Sequence, residues 1–286
     1  MSDQARELRA LAASATPERA AIAEEASTPA LVLGSGKGGV GKSALAVMFA
    51  AALSRLGLRV LLVDAAQNQG NLHVLLGVRP PARLDALLAG DLEPRQLVVP
   101  VAERLSLVPS DSGAQSTYHL SSLDRARLQD RLASLYPSYD HVVIDGGPGI
   151  EGAVRATLGA SRIAIVTMPE PAALSDAYAL IKIVHLQMPS VHTDVLVNRT
   201  QGEGECQAVF ERLSLGAMKF LRRELHLLGE IPEDESLRPA VRETRGLLLL
   251  RECPAARAVA AIAQQLAAPA NADVPAPLAP GGVCPA

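Results

Sequence analysis

The stretch GKGGVGKS at Gly36–Ser43 constrains the fold more than any other part of the chain. It satisfies the spacing G-x-x-x-x-G-K-S/T, follows the apolar run ALVLG at 30–34, and opens into a segment of small and apolar residues. Such a loop works because glycines let the backbone bend until successive N–H groups face one anion. The helix behind it turns its positive dipole end to the same point. Gly36, Lys37, Gly38, Gly39, Val40, Gly41, Lys42 and Ser43 are therefore expected to cradle the phosphates of ATP. The Lys42 ammonium should neutralise the β- and γ-phosphate oxygens, and the Ser43 hydroxyl should ligate Mg2+.

Around this loop, strand-like and helix-like segments alternate. Runs at 30–34, 59–63, 105–108, 141–145, 163–168, 193–197 and 227–231 read as strands. Segments from Ser43, near 123–135, over 172–184, near 205–224 and from Pro254 read as helices. This order predicts an α/β fold with a doubly wound, mostly parallel sheet and crossover helices, the P-loop NTPase arrangement. Hydrophobic residues make up 49% of the chain, yet there are only three Phe, four Tyr and no Trp, so the core must be aliphatic. That suits parallel strands buried on both faces.

One large domain is expected over 29–268. Before it, residues 1–28 read as a short helix and a mobile arm: Ser2 can cap, Asp3 favours the positive helix end, and Ala5, Leu8 and Leu11 share one face. After it, residues 269–286 are mostly Ala, Pro and Gly without Lys or Arg, and are expected to be disordered.

A formal net charge of −3 gives no overall attraction to nucleic acid. The basic stretch KFLRRELH at 219–226 reads as a solvated helix face rather than a DNA patch, since it alternates with apolar residues and contains a glutamate. No apolar run approaches the roughly 20 residues that cross a bilayer, and a cytoplasmic protein is expected. Cys206, Cys253 and Cys284 are too scattered for a disulfide framework or a zinc site and read as reduced thiols.

Two carboxylates end strand-like runs. Asp145 closes HVVID, placing it at the edge where open α/β sheets bind nucleotides, and it is expected to hold magnesium through water. Asp64 closes RVLLVD and belongs to the same edge.

The extra Lys37 after the first glycine resembles the signature of the deviant P-loop ATPases, the MinD/ParA family. That resemblance implies that Lys37 reaches across an interface to a partner's nucleotide, and so implies ATP-dependent homodimerisation. Further stretches resemble the flagellar branch of the family, FlhG (YlxH). These are NLHVLLGVRP at 71–80, DGGPGIEG at 145–152, PEPAALSDAYALIK at 169–182, VLVN at 195–198, GEIPEDESLRPAVRE at 229–243 and CPAARAV at 253–259. By the same resemblance Asn198 reads the adenine edge, and the loop from Pro232 to Asp234 closes over the base. Asp3, Gln4, Ala5, Leu8 and Arg9 resemble DQAxxLR, the segment with which this branch stimulates an FlhF-like GTPase. A mobile glutamine can orient the water at another protein's GTP, as catalytic glutamines of GTPases do. A flagellar transcription regulator is a further implied partner.

Two departures from the family pattern set further expectations. Where relatives carry D-x-D after the second strand, the second position here is Ala66, so the attacking water lacks its usual carboxylate. Losing such a group costs roughly 10²–10⁴ in rate. ATP binding with slow or absent hydrolysis is expected, with Lys37, Lys42 and Asp64 left as the catalytic candidates and Asp64 able to compensate. The second departure is at the C-terminus, where relatives carry an amphipathic helix with basic and bulky apolar residues for membrane attachment, whereas AARAVAAIAQQLAA at 255–268 is dominated by alanine and has one arginine. It is expected to pack on the core, leaving partners to bring the protein to the inner membrane face. The functional readings are therefore an ATP-gated flagellar switch, a hydrolysis-deficient scaffold or transcriptional anti-activator, and a MinD-type division-site positioner.

Overall fold

The computed structural model describes residues 28–66, 71–82, 87, 90–110, 121–147, 149–157, 160–249 and 252–268. The expectations for the N-terminal helix with Asp3, Gln4, Leu8 and Arg9, for the C-terminal tail and for Cys284 lie outside the described residues. The central sheet contains β1 (Ala30–Gly34), β2 (Val60–Asp64), β3 (Val99–Ala102), β4 (Leu105–Val108), β5 (His141–Asp145), β6 (Arg162–Thr167), β7 (His192–Thr200) and β8 (His226–Pro232). Their spatial order is β3-β4-β2-β5-β1-β6-β7-β8, and every neighbouring pair is parallel except β3 with β4. The chain leaves β1 toward β2 on one side and later crosses from β5 to β6 on the other. This places the switch of winding direction beside β1 and β5, where open α/β sheets bind ligands.

The helices are α1 (Lys42–Arg55), α2 (Leu72–Leu75), α3 (Ser122–Ala133), α4 (Gly149–Thr157), α5 (Pro171–Gln187), α6 (Glu205–Leu221), α7 (Leu237–Arg242), α8 (Gly246–Leu249) and α9 (Pro254–Ala267). Alternation along β1 divides the core. Leu31 and Leu33 face a cluster with Phe49 and other residues of α1, while Ala30 and Val32 face one built with Leu180 and Val184 of α5 and Leu213 of α6. Both faces are apolar, so β1 reads as a continuous hydrophobic run. Helix α9 buries Ala255, Ala256, Val259, Ile262 and Ala263 and contacts α1 and β8, so its alanines let it lie close to the core.

Several boundaries differ from the sequence expectation. Strand β3 is antiparallel at the sheet edge, where exposed Pro100 needs no ladder partner on its outer side. Helix α4, which begins at Gly149, has no counterpart among the helices expected from the sequence. Helix α6 stops at Leu221 because Arg222 takes a left-handed conformation, φ 52°. The stretch 219–226 is therefore not one solvated helix face. Arg223 folds back to donate to the carbonyls of Pro189 and Val191, and Phe220 is 68% exposed beside Lys219.

Candidate nucleotide site

The loop between β1 and α1 has the shape its glycines allow. Gly39 and Gly41 hold φ of 81° and 90°, values that strain any residue with a Cβ. Gly41 is also the N-cap of α1, which has neither a side-chain cap nor an acidic residue in its first turn. Its leading amides and positive dipole end are free for an anion. At Gly36 the constraint is steric, for a Cβ there would lie 2.1 Å from the carbonyl oxygen of Asp176 in α5. Gly38 and Gly39 face open space, so the loop is anchored at its base and open at its crown.

Behind the loop, β2 and β5 place two carboxylates side by side, with Asp64 in register with Asp145. Both are buried, at 3% and 2% exposure. The Lys42 ammonium donates to Asp145 Oδ1 at 2.5 Å and to the carbonyl of Gly146. Asp64 has no cationic partner among the described residues. Its Oδ1 accepts the Ala66 amide at 3.1 Å and its Oδ2 the Leu72 amide at 3.2 Å, so it fastens the chain leaving β2. Burial, and then the charge of Asp145, push the Asp64 carboxyl up to about 6.

This shift has a sign that can be tested. Between the ordinary carboxyl value and about 6, the folded protein holds a proton that the unfolded chain has released. The Asp64 contribution is therefore fully present at low pH and declines by about 3 kcal/mol as pH rises from about 4 to about 6. Asp140, held down to about 2 by the Arg59 guanidinium, slopes the other way. The informative quantity is thus the difference between wild type and Asp64→Asn. Urea unfolding without nucleotide should show wild type losing stability relative to the variant from pH 4.5 to 7, and parallel curves would contradict the assignment.

Asn198, near the end of β7, is 4% exposed and donates from Nδ2 to the Val40 carbonyl at 2.7 Å. Its Oδ1, like the Thr167 hydroxyl at the end of β6, is buried without a partner among the described residues. Buried polar atoms are rarely left unpaired, and both lie on the sheet edge that carries the loop.

The family model described as an AAA domain matches residues 30–195. The chain is 35% identical to the antiactivator FleN of Pseudomonas aeruginosa over 74% of this chain and 76% of that protein. It is 32% identical to the flagellum site-determining protein YlxH of Helicobacter pylori, over 76% of this chain and 74% of that one. Among solved structures, the MinD cell division protein of Aquifex aeolicus superposes with a TM-score of 0.68 at 26% identity, covering 83% of this chain and 96% of that chain. The chain belongs to the MinD/ParA family of P-loop ATPases.

The MinD/ParA signature lysine, Lys37, projects from the outer part of the loop. It pairs with Glu170 Oε2 at 3.1 Å, and the two side chains are 38% and 54% exposed. A surface pair of this kind is worth roughly 0–1 kcal/mol, so the lysine is easily released. Ala66 is 7% exposed beside Asp64, and Ser43 is half-buried in the first turn of α1. Pro232 ends β8 opposite Thr200. The Asp234 carboxylate accepts Ser236 N at 3.0 Å, Ser236 Oγ at 2.6 Å and Ala255 N at 3.0 Å, so it caps the start of α9.

The residues fit a magnesium nucleotide. An uncapped helix start and an open glycine crown suit phosphates, and the orphaned Asn198 Oδ1 is an acceptor suited to an exocyclic amine. No group of three or more His, Cys, Asp or Glu gathers among the described residues, so a cation here takes few protein ligands. Magnesium suits that arrangement, since it keeps waters and phosphate oxygens alongside one or two hard protein donors such as Ser43 and Asp145. When bound, it would supply charge neutralisation to the phosphates. Sequence reasoning did not find Glu170, Asp176 or the Val40 carbonyl, because each acts through a contact distant in sequence, nor Thr167, whose buried hydroxyl has no partner among the described residues. Nor did it find the buried Lys42–Asp145 pair, although both residues were singled out.

Proposed function

We propose that this protein is an MgATP-gated dimeric regulator of flagellar number or placement. The observation that carries the reading is the loop itself, a glycine-rich turn into α1 with one buried lysine, Lys42, and one exposed lysine, Lys37, held by a surface pair with Glu170. Gly36 to Ser43 would hold the phosphates, Ser43 and Asp145 the magnesium, and Asn198 with the Pro232–Asp234 loop the adenine. Lys37 would leave Glu170 to reach a second protomer's nucleotide. The flagellar pathway is supported by the similarity to FleN and YlxH.

In this reading the N-terminal segment with Asp3, Gln4, Leu8 and Arg9 stimulates an FlhF-like GTPase. Light scattering with MgATP should show a dimer for wild type and a monomer for Lys37→Ala, whereas a nucleotide-independent monomer in both would reject the switch. GTP turnover by an FlhF-type protein should rise with this chain and lose that rise in Gln4→Ala.

A second reading, a slowly hydrolysing scaffold or transcriptional anti-activator, draws on Ala66 and on the similarity to the antiactivator FleN. It is favoured if the ATP-bound dimer captures a flagellar transcription activator while GTP turnover by the FlhF-type protein is unaffected. Among the described residues no helix is long and apolar enough to cross a membrane, and recruitment to the inner membrane face is assigned to partners.

A further inference from the structure

We infer that Asn198 is a positioning residue for the phosphate loop, acting through the Val40 carbonyl; the inference rests on the nucleotide-binding reading above. Asn198 sits on β7, across β6 from the strand that feeds the loop, and is separated from Val40 by 158 residues in sequence. Its Nδ2 nevertheless donates to the Val40 carbonyl at 2.7 Å, with both residues buried at 4% and 2% exposure. The fit is tight. A Cβ on Gly41 would stand 2.6 Å from the same Nδ2, so the glycine provides the room in which the carboxamide reaches the loop.

The consequence follows from peptide geometry. A trans peptide is planar, with its carbonyl and the next N–H pointing in opposite directions. Fixing the Val40 carbonyl toward β7 therefore fixes the Gly41 N–H away from it. Gly41 is the N-cap of α1 and precedes Lys42, so the restrained peptide lies where the helix presents its amides to an anion. The opposite amide flip would set the carboxamide oxygen against the Val40 oxygen, so Oδ1 is the atom left unpartnered. One side chain thus ties the loop with its donor while its acceptor faces the base site.

The test uses a ligand that has phosphates and no base. Inorganic tripolyphosphate with Mg2+ is titrated calorimetrically into wild type, Asn198→Ala and Asn198→Leu, the last of similar size but with no hydrogen-bonding atom and no charge. Both variants should bind tripolyphosphate at least about tenfold more weakly than wild type, the effect of one hydrogen bond and its ordering of the loop. Both should retain a single cooperative thermal transition. Wild-type affinity for tripolyphosphate in the variants, with ATP binding alone weakened, would confine Asn198 to the base and overturn the inference. Loss of the cooperative transition would overturn it equally, by placing the bond in core stability rather than in the loop. Failure of wild type to bind either ligand would instead remove the nucleotide reading on which the inference rests.

Discussion

Substituting Lys42 with alanine is expected to weaken MgATP binding by at least about a hundredfold and to destabilise the nucleotide-free protein by about 3–5 kcal/mol. The two losses have different origins. Charge-assisted hydrogen bonds are worth about 1.5–3 kcal/mol each, and losing one or two from the β- and γ-phosphates accounts for the affinity. The stability loss arises because Lys42 and Asp145 form a pair whose side chains are only 9% and 3% exposed, with Asp64 in register beside it. Without the ammonium, two buried carboxylates lie side by side and Asp145 loses the cation that pairs with it.

A second substitution separates these effects. In Lys42→Ala/Asp145→Asn the uncompensated charge is gone, so most of the stability should return while MgATP binding stays lost. Urea unfolding at pH 7 without nucleotide, together with calorimetry, measures both quantities. A single variant as stable as wild type would mean that water reaches Asp145 and that the pair is not the closed contact described above.

The sequence disclosed the parts of this site that are set by local chemistry. The glycine spacing at 36–41 requires positive φ values, and Gly39 and Gly41 adopt them. The runs ending at Asp64 and Asp145 are apolar because their strands are buried on both faces, and the sheet places both residues at one edge. What the sequence did not disclose are contacts between distant segments. The Asn198 carboxamide and the Val40 carbonyl meet only because β7 lies near β1, and a backbone carbonyl leaves no trace in residue type. Glu170 lies just before the helix read over 172–184 and becomes a partner of Lys37 only once α5 packs beside the loop. Strand β3 was missed because four residues containing Pro100 do not alternate clearly, whereas an edge position tolerates them.

Ala66→Asp is expected to raise the rate of ATP hydrolysis by about a hundredfold or more, the lower end of what a positioned acid or base contributes. Ala66 lies two residues past the end of β2, its amide is fixed by Asp64 Oδ1, and its Cα stands 3.5 Å from the place a Cβ on Gly147 would occupy. A carboxylate introduced there lies beside the raised Asp64 carboxyl and near Asp145, and like charges in a buried site disfavour ionisation of the new carboxyl and of Asp64. The nucleotide-free variant should therefore be less stable than wild type by about 1–3 kcal/mol at pH 7, and should recover as pH falls toward the raised carboxyl values. Single-turnover release of phosphate from labelled ATP gives the rate. If wild type turns over as fast as Ala66→Asp, the missing carboxylate is not what limits the reaction. Asp64→Asn then decides whether Asp64 has taken over the task, because only in that case does removing its charge slow the wild-type rate.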